Sequence, residues 1–127
     1  MESNLTKILM SMQRCSNASD KLYDELKNNF RLSSIGFFEK NEEGYSGNFY
    51  VMFNKPIGEF NKVHGISICY PSDVYQNREL NPSIIEIALI DSNYNLCYDS
   101  DLGYDNICRF DSSSKIIEEI IRISSNN

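Results

Sequence analysis

Seven residues in the C-terminal third, Asp99-Ser100-Asp101-Leu102-Gly103-Tyr104-Asp105, bring three carboxylates and a phenol together. Carboxylates this close raise one another's pKa, as general acid–base work requires, and they can ligate a hard cation such as magnesium. Either chemistry needs polar groups delivered from elsewhere in the fold, and no second cluster of matching type occurs. The same residues also suit recognition. Tyr104 offers a large, stiff contact area with a polar tip, and Asp99, Asp101 and Asp105 offer charge against a basic partner. Tyr45 and Tyr75 fall in other polar loop segments, and Tyr75 joins the expected partner-binding set. The plain alternative is a solvated loop between the last strand and a helix.

Charge by position favours recognition. The chain carries −6 overall, yet residues 79–119 hold nine acids against Arg109 and Lys115, a balance of −7, and the remainder is +1. Such an asymmetric surface repels phosphate and attracts a cationic partner; its bland reading is a solubilising face. Nucleic acid is not an expected partner, because binding its backbone takes clustered Lys and Arg. Gly44-Tyr45-Ser46-Gly47 has the letters of a G-x-x-G loop, but Glu42 and Glu43 beside it repel phosphate.

Other reactive groups complete no constellation. His64 is the only histidine, and Cys69 lies five residues away in the same expected strand, hence on its opposite face. Cys15, Cys69, Cys97 and Cys108 show no zinc-knuckle spacing. They read as reduced thiols within apolar patterns, with a Cys97–Cys108 disulfide as the exception in an oxidising compartment. Asp91-Ser92-Asn93-Tyr94-Asn95 matches the first half of a calcium loop. Leu96 and Leu102 then occupy the positions of the required Gly and Glu, so the segment reads as a hairpin turn. No phosphate loop, dinucleotide fingerprint or hydrolase elbow occurs, and no cofactor is expected.

The elements that must position these groups follow from hydrophobic period. Leu5, Ile8, Leu9, Met12, Cys15, Leu22, Tyr23, Leu26 and Phe30 lie on one half of a helical wheel, an N-terminal helical region over 3–30. Ser16, Asn17, Ser19 and Asp20 offer cap chemistry within it, so one helix or two (3–15 and 19–30) both fit. Five strands then alternate or run apolar: 34–39, 48–54, 64–70, 84–90 and 94–98, the fourth reading as central. Tyr70 to Asn81 is a long insertion between prolines. Serines 112–114 and the stripe Ile116, Ile117, Ile120, Ile121, Ile123 predict a C-terminal helix over 113–124.

The whole reads as one α+β domain over 1–127. Its sheet, over 34–98, has about five mostly antiparallel strands, with both terminal helical regions on one face. At 127 residues and 41% hydrophobic content the chain can bury a core without staples. Its apolar runs, such as Ile87 to Ile90, are too short for a bilayer span or a signal-peptide core, so a cytoplasmic protein without membrane contact is expected. Three functions fit. The leading one is a non-catalytic binding protein of inhibitor, immunity or viral-antagonist type, covering a basic protein surface with its acidic third and loop tyrosines. The others are a small-molecule sensing or sequestering domain lidded by the 70–81 insertion, and a small metal-dependent enzyme using the 99–105 carboxylates. The N-terminal helical region could also pair with a second copy.

Overall fold

A computed structural model of the protein describes residues 4–41, 48–70 and 84–125. Helix α1 (Asn4–Lys27) runs unbroken past Ser16 to Asp20, because no Gly or Pro interrupts it. Its second half is the docked part. Ala18 packs against the core, and Leu22, Tyr23 and Leu26, at helical spacing, are buried in it. In the first half Leu5, Leu9 and Met10 stay exposed.

Five strands form a consecutive antiparallel path: β1 (Gly36–Lys40), β2 (Phe49–Ile57), β3 (Val63–Cys69), β4 (Ile85–Ile90) and β5 (Leu96–Cys97). Pro56 is tolerated in β2 because the register against β3 shifts between Met52 and Ile57, where no ladder hydrogen bond is required. A sixth strand, β6 (Cys108–Phe110), was not expected from the sequence and extends the sheet beyond residue 98. It shares the outer edge of β4 with β5: Leu89 faces Cys97 and Ile87 faces Cys108. β5 and β6 are thus two halves of one edge strand, interrupted by an excursion over 98–107.

Helix α2 (Ser113–Ser124) starts where expected. The Ser112 hydroxyl accepts from the Lys115 N–H at 3.3 Å, and Ile116, Ile120 and Ile123 are fully buried. Both helices cover the sheet face that carries Phe38, Phe49, Val51, Ile66, Ile68, Ile87 and Leu89. Alternation sends Phe37, Met52, Gly65, Ile90 and Leu96 to the other face, where register aligns them in one row across five strands. Among the described residues no helix covers that face, and no helix is long and apolar enough to cross a membrane.

Candidate functional site

The 98–107 excursion closes on itself. Asp99 and Tyr104 exchange both backbone hydrogen bonds at 2.9 Å, and Gly103 takes the left-handed conformation (φ 84°) that the tight turn requires. The Asp99 side chain then points inward. Its Oδ1 accepts the Leu102 N–H at 3.2 Å and its Oδ2 accepts the Glu59 N–H at 2.8 Å, 40 positions earlier in the β2–β3 turn. Gly58 (φ 79°) makes this approach possible, since a Cβ there would lie 2.4 Å from Oδ2. Asp99 is 3% exposed and Tyr104 1%.

Tyr104 packs in the core with Leu102, and α2 closes over the loop as the Arg122 guanidinium donates to the Leu102 carbonyl at 2.8 Å and to Glu119. No hydrogen bond of standard geometry reaches the enclosed Tyr104 hydroxyl. Burial first, then the Glu119 carboxylate, push that phenol above its ordinary range.

These positions correct the expected surface. Asp99 and Tyr104 cannot present themselves to a partner, because a buried carboxylate must have its acceptors filled and a tyrosine ring between strand and helix fills core volume. Asp101 and Asp105 do face solvent, Asp105 accepting from the Ser100 hydroxyl. Tyr45 and Tyr75, with the 71–81 part of the insertion, lie outside the described residues. Four of the nine acids of the acidic third are ion-paired, two of them with bases from outside it. Glu86 pairs with Arg109 at 2.9 Å, Asp111 with Lys115 at 2.7 Å, Glu118 with Arg31 at 2.7 Å, and Glu119 with Arg122. Asp91 accepts from the Asn93 and Asn95 N–H groups, which makes its segment the hairpin turn expected.

Apolar side chains are exposed at this edge as well. Leu96 (52% exposed), Tyr98 (47%) and Ile107 (41%) flank the excursion, while Cys97 and Cys108 beside them pack against the core. Neither Leu96 nor Ile107 is among the partner-binding residues expected from the sequence. The alternation of Leu96-Cys97-Tyr98 and Ile107-Cys108-Arg109-Phe110 was the available signal, but each run is too short to announce a strand. Nearer the middle of the open face, Tyr94 in a left-handed conformation (φ 64°) turns back over the sheet. Its ring meets Tyr50 of β2 at 5.0 Å and its hydroxyl donates to Glu39 of β1 at 2.7 Å.

Nucleophilic and metal chemistry finds little here. Cys97 and Cys108 sit two register steps apart on one face, about 7 Å between their Cβ atoms, too far to bridge without backbone movement. Both thiols are free. Burial, reinforced by Glu86, pushes Cys69 up to about 11, and burial also raises Cys97 and Cys108. The register of β3 against β4 is unbroken from Gly65 to Cys69, and His64 lies just before it, beside the irregularity in the β2–β3 pairing. Among the described residues no three His, Cys, Asp or Glu side chains gather closely enough to hold a metal ion.

No family model, curated protein or solved structure matches this chain.

Proposed function

We propose that the chain is a non-catalytic binding protein, of inhibitor, immunity or antagonist type, that covers a basic site on another protein. The observation that carries this is one exposed edge: Leu96, Tyr98 and Ile107 are exposed apolar and aromatic side chains flanking the excursion that carries exposed Asp101 and Asp105. An apolar centre with a charged rim is the anatomy of a protein contact, the centre supplying affinity and the rim steering and register. Buried Asp99 and the α2 contact to Leu102 hold the excursion in shape before a partner arrives, which lowers the ordering cost of binding. A cytoplasmic location is part of the same proposal, in which Cys69, Cys97 and Cys108, free among the described residues, stay reduced.

The test is capture from a native extract at low ionic strength on immobilised chain. The Leu96→Ser, Ile107→Ser double variant should lose the captured protein, and Asp101→Asn, Asp105→Asn should release it at lower salt. Equal retention by wild type and both variants would rule out this edge.

Association with a second copy is a separate proposal, supported by exposed Leu5, Leu9 and Met10 on the undocked half of α1. Light scattering of wild type against Leu5→Ser, Leu9→Ser addresses it: a mass that falls with substitution supports pairing, and a monomer in both refutes it.

A further inference from the structure

We infer that Phe60, in the β2–β3 turn, is the anchor of the proposed protein contact, and that the partner receives it in an apolar pocket of phenyl size with a basic rim. The inference rests on the binding reading above and adds to it a residue outside the Leu96 edge. Phe60 is 88% exposed, more than any other large hydrophobic side chain among the described residues. It also takes the left-handed conformation (φ 59°, ψ 18°), and Asn61 follows it there (φ 51°). Asparagine tolerates that conformation, whereas a bulky side chain is strained in it. A ring so exposed returns almost no packing to the fold, so burial does not offset the strain. Strain kept at an exposed aromatic points to a use outside the fold.

The turn holds the ring in place. The Asn61 N–H donates to the Gly58 carbonyl at 3.2 Å and the Lys62 N–H to the Glu59 carbonyl at 3.4 Å. The Glu59 N–H donates to buried Asp99 at 2.8 Å, which ties the turn to the excursion that carries Tyr98, Asp101 and Asp105. With its backbone fixed on both sides, Phe60 has only its side-chain torsions left to order, a small entropic cost for a large apolar area. Charge then selects the occupant. On the two tied segments Glu59, Asp101 and Asp105 are exposed, against Lys55 and Lys62. This balance opposes an anionic lipid surface and suits a protein pocket bordered by Lys or Arg. A single ring standing out of a polar turn also calls for a cavity rather than a flat apolar face.

The test purifies the protein retained from native extract and titrates it calorimetrically with wild type, Phe60→Asn, Phe60→Leu and the Leu96→Ser, Ile107→Ser variant. Phe60→Asn should weaken binding at least roughly tenfold while its melting temperature holds or rises, because asparagine suits the left-handed backbone. Phe60→Leu, apolar but without the ring, should fall between Phe60→Asn and wild type. Unchanged affinity in Phe60→Asn beside a loss in the Leu96→Ser, Ile107→Ser variant overturns this inference and leaves the edge reading standing. Full affinity in every variant, or no protein retained by wild type, overturns both. A lower melting temperature for Phe60→Asn would make the ring structural, and Phe60-dependent binding to vesicles of phosphatidylcholine and phosphatidylserine would assign it to lipid; either result also overturns the inference.

Discussion

Two aspartates at one edge of the sheet do the same chemistry at different depths. Asp91 accepts two backbone N–H groups within its own turn, from Asn93 and Asn95, in contact with solvent. Asp99 also accepts two, but one belongs to Glu59, 40 positions away, and the carboxylate is enclosed. A local, wet acceptor shapes a turn, and water replaces it cheaply when it is lost. The long-range, dry one joins the 98–107 excursion to the β2–β3 turn, and its loss strands a buried donor. The same residue type thus serves as punctuation in one loop and as a tie between elements in the next.

Substitutions can break this contrast. Asp99→Ala has the largest expected effect, about 3 kcal/mol of lost stability by urea unfolding, because the Glu59 and Leu102 N–H groups lose their acceptor in a dry site. Gly58→Ala comes next at about 2 kcal/mol, since it adds strain at a left-handed φ and drives a Cβ into Asp99 Oδ2. Asp91→Ala should cost about 0.5–1 kcal/mol, measured the same way, as its donors turn to water. If Asp91→Ala costs as much as Asp99→Ala, depth does not decide the matter. Tyr104→Phe sharpens the account from the other side. It removes a buried hydroxyl with no standard hydrogen bond, so the melting temperature should hold or rise, the gain being at most about 1 kcal/mol. A loss of more than that would mean that the hydroxyl is bonded in solution.

The contrast also marks what could be read from the letters. The serines before α2 and the stripe Ile116, Ile120, Ile123 gave its start and its buried face directly, because capping and helical period are local properties. Antiparallel pairing followed from alternation and short turns in the same way, whereas strand order, with a long insertion between β3 and β4, came only from the structure. What stayed hidden depends on distant partners. Nothing near Asp99 says that a backbone N–H from Glu59 waits for it. Tyr104 sits among acids and reads as a loop residue, yet the hairpin closed by Asp99 turns its ring under α2. β6 holds three residues and pairs only because the excursion returns the chain to β4, a tertiary event without a local signature. The acidic balance of residues 79–119 is a property of the letters, whereas the pairing of Glu118 with Arg31 and of Glu119 with Arg122, both from outside that stretch, belongs to the fold.

The central claim is a division of labour within one short excursion: Asp99 holds the fold, whereas Asp101 and Asp105 face solvent, where the proposed partner would meet them. Equilibrium urea unfolding of Asp99→Asn beside the Asp101→Asn, Asp105→Asn double variant tests it most directly. The account predicts a loss of about 2 kcal/mol for the single change and a shift within about 0.5 kcal/mol for the double. Equal losses, or a larger loss in the double variant, would contradict it.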